Sequence, residues 1–324
     1  MSHRSAINSS VCQLLGLGVL ALTAACQRSP TAAPESTGPT QTITHAMGTT
    51  PVSVSPQRVV TIDTTPLDAA LALGITPVGT IRYGAPPGYL GEAASDIPVI
   101  GQYAQPNLES ILQLNPDLIL GAKSISEALY PRLSQIAPTV FTEGAGRHWD
   151  WKNNFRLFAE ALGQSEQAEQ LLADYDQQVE TLKASLELPP ESMTVSILVS
   201  MSDRLVAQTP KSFSGSILEE LGFDRNPAQI KGEEFFVRIS REDLTSPEGD
   251  VIFLMHSSEW ETNPAAEFIN DPLWSQLDAV QQGAVCEVAG DVWGSGRSIL
   301  AANQILTDVE TCLASKLEQP NRAE

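Results

Sequence analysis

One stretch constrains this chain more than any other: Ser165–Leu186, SEQAEQLLADYDQQVETLKASL, followed by Pro189-Pro190. Its apolar residues Leu171, Leu172, Tyr175, Val179, Leu182 and Leu186 fall 3, 4, 7, 11, 14 and 18 residues after Ala168, with Asp, Glu, Gln and Lys between them. Side chains at that spacing share one face of an α-helix. Ser165 is placed to cap the start, acidic residues fill the first turns, and the two prolines cannot continue the helix. About 22 residues at 1.5 Å each make a rod of roughly 33 Å, the width of a small domain. A single long helix between two folded halves predicts a two-lobed plan with a cleft.

The halves read as α/β. In the first, Arg58–Asp63 (RVVTID), Pro77–Thr80, Ile97–Gly101 (IPVIG), Asp117–Gly121 (DLILG) and Thr139–Thr142 (TVFT) are strand patterns. Helix patterns at Pro66–Gly74, Asn107–Leu114, Ser124–Ile136 and Trp151–Leu162 lie between and after them. Short connections between alternating strands and helices imply a parallel-rich sheet covered on both faces. Thr194–Met201 (TVSILVSM) starts the pattern again. Helical Ser216–Leu221, strand Asp250–Met255, a helix over Ala265–Leu277 around Pro272, strand Ala284–Val288 and a closing amphipathic helix Ser298–Leu317 follow. The expected boundaries are a first lobe over 45–163, the joining helix over 164–190 and a second lobe over 191–324. The lobes echo each other: Asn107-Leu108-Glu109 precedes Asp117-Leu-Ile-Leu as Ser240-Arg241-Glu242 precedes Asp250-Val-Ile-Phe.

The start of the chain reads as an export signal over 1–25. Arg4 leads into the apolar run Val11–Ala25, which at fifteen residues is short for a membrane span. Leu22-Thr23-Ala24-Ala25-Cys26 resembles the lipobox of bacterial lipoproteins, so Cys26 is the expected lipid carrier. Residues 26–44, rich in Pro, Thr, Ser, Ala and Gln, suit a flexible tether. Outside the cytoplasm, Cys286 and Cys312 are an even pair able to form a disulfide. A net charge of −20 excludes nucleic acid as a partner, because binding its backbone needs basic surface.

Open parallel sheets bind ligands at the carboxyl ends of their strands. Arg82 and Tyr83 follow PVGT, and Tyr103 follows IPVIG. Arg147, His148 and Trp149 follow TVFT, and Arg204 follows TVSILVSM. His256 and Trp260 follow DVIFLM, Trp293 follows AVCEVAG, and Arg238 precedes the capped second-lobe helix. In so acidic a chain, this repeated placement of cations and rings predicts a cleft for an anionic ligand with flat or bulky walls. Gly144-Ala-Gly146 and Gly294-Ser-Gly296 lack the third glycine of a dinucleotide fingerprint. No Walker loop or G-x-S-x-G elbow occurs, and no Cys or His spacing suggests a metal site. An enzyme is not expected, nor a resident cofactor.

With these residues placed, the chain resembles the periplasmic binding proteins of ferric-siderophore ABC importers, a group that includes cobalamin and haem binders. The resemblance rests on RVVTIDTTPLDAALALGITPVG, IGQYAQPNLESILQLNPDLILG, SFSGSILEELGFDRNPAQ, ISREDL and DPLWSQLDAVQQGAVCEVAGDVW, in that order. It implies two Rossmann-like lobes joined by one rigid helix, and a monomer that captures an Fe(III)–siderophore for a permease and its ATPase. Glu109 in PNLESI and Glu242 in ISREDL match the glutamates that dock on basic pockets of the permease. Tyr103 stands where hydroxamate binders carry an arginine. Tyr103 with His148 keeps a haem or cobalamin receptor as the alternative, and a direct Zn or Mn receptor is a more distant one. The expected place is periplasmic or cell-surface, held to a bacterial membrane by lipid.

Overall fold

The computed structural model describes residues 38–82, 86–146, 150–186, 192–201, 204–230, 234–240, 248–256 and 269–317. The chain enters through a hairpin of β1 (Thr40–His45) and β2 (Gly48–Ser53), paired antiparallel from Thr40–Ser53 to His45–Gly48. Ile43 and Val52 are fully buried from this hairpin into the main core. The first described strand therefore starts at Thr40, inside the stretch expected to be tether. The composition of 26–44 hid it, because TQTITH alternates over only one apolar position.

The first sheet has the order β6-β5-β4-β3-β7-β8. These are β3 (Val59–Thr61), β4 (Gly79–Arg82), β5 (Val99–Gln102), β6 (Gln105–Pro106), β7 (Leu118–Ala122) and β8 (Thr139–Thr142). All pairs are parallel except the turn-linked β5 and β6. Alternate side chains enter two apolar layers, as the strand period requires. Val59, Leu118, Leu120 and Val140 join the main core, while Val60, Ile62, Ile119 and Phe141 form a second layer with Ile111 and Leu133. Helix α1 (Thr64–Ala72) covers the first layer and is capped by Asp63. Helix α2 (Leu108–Gln113) is capped by Asn107, which accepts from the Glu109 and Ser110 N–H groups. The helix expected over Ser124–Ile136 is instead α3 (Lys123–Ser126), a 3₁₀ turn at Glu127–Leu129 and α4 (Tyr130–Leu133). Pro131 lacks the N–H a continuous helix needs there.

Helix α5 (Trp151–Ala161) leads through Gly163, at φ +70°, into α6 (Ser165–Ser185). The stripe holds: Ala168, Leu172, Tyr175, Val179 and Leu182 are buried, with Leu171 and Leu186 packed partly behind them. Ser165 opens the helix instead of capping it; the cap position is Gln164, which supplies no side-chain bond.

The second sheet has the order β12-β10-β9-β13-β14 with β11 beside β9. Its strands are β9 (Thr194–Met201), β10 (Arg204–Gln208), β11 (Asp224–Arg225), β12 (Phe236–Ile239), β13 (Val251–His256) and β14 (Val285–Ala289). Strands β9, β11, β13 and β14 are parallel, whereas β10 runs antiparallel to both its neighbours, β9 and β12, an arrangement the strand–helix reading did not anticipate. Helices α7 (Phe213–Glu220), α8 (Asp278–Gln281), α9 (Gly290–Trp293) and α10 (Ile299–Leu317) complete the fold. In the described part of Ala265–Leu277 there is a 3₁₀ turn at Trp274–Gln276, following Pro272. Cys286 on β14 and Cys312 on α10 form a disulfide with Cα atoms 6.0 Å apart.

The main core runs through both halves. Val59, Ala69, Leu118 and Phe155 of the first belong to one apolar cluster with Val195, Ile217, Phe253 and Ile305 of the second. At the α5–α6–α7 junction the Trp151 ring meets Tyr175 edge-on at 5.2 Å and Phe213 at 5.8 Å. Lys152 bonds Glu220 at 3.0 Å, and the Tyr175 hydroxyl donates to the same carboxylate at 3.0 Å. Separating the halves would expose this apolar surface at about 25 cal/mol per Å².

Candidate ligand-binding site at the strand ends

Because β3, β4, β5, β7 and β8 are parallel, their carboxyl ends lie along one rim of the first sheet. On that rim Asp63 follows β3, Arg82 ends β4, Tyr103 follows β5, Lys123 follows β7 and Glu143 follows β8. In the second sheet His256 ends β13, opposite Ala289 at the end of β14.

Lys123 and Glu143 join adjacent strand ends. The Lys123 ammonium donates to Glu143 Oε1 at 2.8 Å, and the Ser124 N–H donates to the Glu143 carbonyl at 3.2 Å. The bond to the carboxylate raises the Lys123 pKa, so the cation persists at neutral pH. Sequence reasoning missed Lys123, although the rule applied to six other strands places a cation directly after DLILGA.

Arg82, expected at the cleft, turns its guanidinium onto loop carbonyls. Its Nη2 donates to the carbonyls of Ala94 at 2.8 Å, Ser95 at 2.9 Å and Ile97 at 3.3 Å. A long guanidinium stem has curled back to satisfy loop carbonyls that the sheet leaves bare. Trp293, expected as a cleft wall, is 1% exposed. It ends the short α9, stacks on Phe253 at 4.8 Å, and its Nε1 donates to Asp308 Oδ2 at 2.8 Å. The helical turn after β14 brings the indole into the second sheet's core instead of its rim.

Tyr103 occupies the two-residue turn between β5 and β6, half-buried against the second apolar layer, and Ala104 beside it takes φ +57°. Arg238 is exposed on β12, opposite Val206. Arg204 opens β10 opposite Met201, the last residue of β9, and so stands at the carboxyl rim of that strand. Glu109 is exposed in the first turn of α2. Tyr83, Arg147, His148, Trp149, Glu242, Trp260 and Cys26 lie outside the described residues. Among the described residues, no group of three His, Cys, Asp or Glu is arranged to hold a metal ion, and no helix is long and apolar enough to cross a membrane.

The sequence profile of a family described as periplasmic binding protein matches residues 59–291. The chain belongs to that family. Its members are substrate-binding proteins, and this chain is not an enzyme. A probable siderophore-binding lipoprotein of Bacillus subtilis, YfiY, is 34% identical over 85% of this chain and 88% of its own length. The Fe(3+)-citrate-binding protein YfmC of the same organism is 31% identical over 81% of this chain and 82% of its own. Among solved structures, Staphylococcus aureus SirA complexed with staphyloferrin B superposes with a TM-score of 0.74. It is 29% identical, covering 85% of this chain and 98% of SirA. The match reaches both sheets, as the sequence blocks led one to expect.

Proposed function

We propose that this protein is an extracytoplasmic receptor that captures a ferric siderophore in the cleft between its sheets and delivers it to an ABC importer. The observation that supports this most is the near end-to-end likeness to YfiY, YfmC and SirA, three proteins named for siderophore or ferric-citrate binding or solved with staphyloferrin B. The iron travels as cargo inside its chelator and takes no ligand from the protein. Lys123 provides a cation for the chelator's oxygens, with Glu143 holding its ammonium in place until an anion arrives. Arg147, Arg204 and Arg238 add charge, and Tyr83, Tyr103, Trp149 and Trp260 provide ring faces. Arg82 and Trp293, committed elsewhere, are not part of this set.

Glu109, presented on a capped helix turn, and Glu242 dock on the permease. Cys26 carries the lipid that holds the monomeric receptor at the membrane. Export and the tether preceding β1 suit that arrangement.

The test is a titration of the mature protein's tryptophan fluorescence with ferric citrate, ferric hydroxamate, mixed citrate–hydroxamate and ferric catecholate complexes, beside haem and cobalamin. Saturable quenching by one ferric complex, weakened at least tenfold in Lys123→Ala, is expected. A response to haem or cobalamin alone would replace the proposed cargo, and silence towards all of them would refute the receptor.

A further inference from the structure

Two buried polar side chains one turn apart on α1 hold segments from opposite ends of the chain. The Thr65 hydroxyl donates to the Ala145 carbonyl at 2.8 Å, in the segment that leaves β8. Asp68, fully buried, accepts from the Leu300 N–H at 3.0 Å with one oxygen and from the Ala301 N–H at 3.1 Å with the other. A carboxylate from the first half thereby caps α10, the last helix of the second, and meets N–H groups the helix leaves bare. The two segments also touch. Gly146 sits at φ +68° with its backbone on residue 297; a Cβ there would lie 2.7 Å from the Arg297 carbonyl oxygen. Contacts thus close a ring: α1 to 145, 146 to 297, and the start of α10 back to α1.

Burial pushes the Asp68 carboxyl up to about 7, against the pull of the two N–H groups. An apolar residue would avoid that cost, so the position serves the cap and not packing alone.

We propose that Asp68 is a positioning residue of the binding site: by capping α10 from the first half, it keeps residue 297 under Gly146 and so fixes the Glu143–Gly146 rim. That rim presents the Glu143–Lys123 pair and leads in sequence to Arg147. What the rim binds rests on the function proposed above; the mechanical coupling does not.

Hydrogen exchange and ferric citrate titration of the full mature chain test it together. The Leu300 and Ala301 amides report the cap, and the Ser124 amide, bonded to the Glu143 carbonyl, reports the rim. Asp68→Ala is expected to speed exchange at all three by tenfold or more and to raise the Kd for ferric citrate about tenfold. Asp68→Asn, which keeps one acceptor oxygen, should fall between it and wild type. Val179→Ala in α6, a destabilised control away from the ring, should leave Ser124 exchange and Kd unchanged.

Faster exchange at Leu300 and Ala301 with an unmoved Ser124 amide would overturn the proposal, reducing Asp68 to a helix cap. So would equal loosening of the rim in Val179→Ala. If Asp68→Ala does not fold, Asp68→Asn and Thr65→Val carry the same comparison, and an unchanged Ser124 amide in both would overturn it. If wild type ignores every ferric complex, the proposed function fails, and the Ser124 amide alone still decides the coupling.

Discussion

The two sheets start alike and finish differently. In the first, the Asp117 N–H donates to the Arg58 carbonyl at 3.0 Å while its carboxylate accepts from Arg58 N–H at 2.9 Å and Gln57 N–H at 2.7 Å. In the second, the Asp250 N–H donates to the Thr194 carbonyl at 2.7 Å and its carboxylate accepts from Thr194 N–H at 2.7 Å. Each aspartate clips the starts of two neighbouring parallel strands and sets their register, Val59 opposite Leu118 and Val195 opposite Val251. The echo visible in sequence is thus a shared device at the amino rims. At the carboxyl rims the likeness ends: in the first sheet the two-residue edge strand β6 turns back from β5, whereas in the second the internal strand β9 returns directly into antiparallel β10. Register is set at one rim, which leaves the other free to differ.

If both sheets share one core, the most damaging change should strike them together. Leu172→Ala in α6 removes a buried side chain from the common cluster and should cost about 3 kcal/mol. Calorimetry should still show one transition; two would mean that the sheets unfold separately.

Replacing Cys286 and Cys312 by serine should cost about 3 kcal/mol or less by the chain-entropy account. Exchange should quicken in β14 and α10 while β7 and β8 keep their protection. Loosening that spreads equally to the first sheet would erase the asymmetry between them.

The aspartate clips sharpen the comparison further. Asp117→Ala, losing two accepted bonds, should cost about 2 kcal/mol, and Asp250→Ala, losing one, about 1 kcal/mol. Urea melts that rank them in reverse would break the proposed equivalence.

The smallest effect belongs to the β1–β2 hairpin, a separate two-stranded sheet with no counterpart among the described residues of the second half. His45 Nε2 lies 2.8 Å from Thr50 Oγ1, and Nδ1 accepts from the Met47 and Phe141 N–H groups, both at 3.3 Å. Burial lowers its pKa below 6.5, so the ring is neutral in the fold. The unfolded chain takes up the proton first, and this contribution is lost as pH falls below about 6.5. Asp68 has the opposite sign: its raised pKa favours the fold below about 4, a contribution lost as pH rises towards 7. His45→Gln should flatten the acid-side slope of thermal stability, and Asp68→Asn the slope between. An unchanged profile in either variant would contradict the assigned group.

Much of this framework is legible in the sequence, because helix stripes and strand-opening aspartates are local patterns. The stripe of Ser165–Leu186, the capped α2 and the strand TVFT all emerge where the residues indicate. Side-chain direction is not local. Arg82 ends a strand as expected, yet its length lets it turn back onto three carbonyls, and Trp293 follows its strand but is carried inward by α9. Arg204 stands at the end of β9 as expected, but the strand it opens, β10, is not in the sequence reading, although two residues between apolar runs suit an antiparallel hairpin. Pro131 likewise marked a break that the apolar pattern around it obscured.

The most direct measurement is the position of iron. Crystals of the mature protein soaked with the ferric complex that quenches best should give one anomalous iron peak between the carboxyl rims, near Lys123 and the end of β13. No protein atom should lie within coordination distance of it. Iron bound directly by a protein oxygen or nitrogen, or seated in the groove of about 480 Å³ between β14 and α10, would contradict the account.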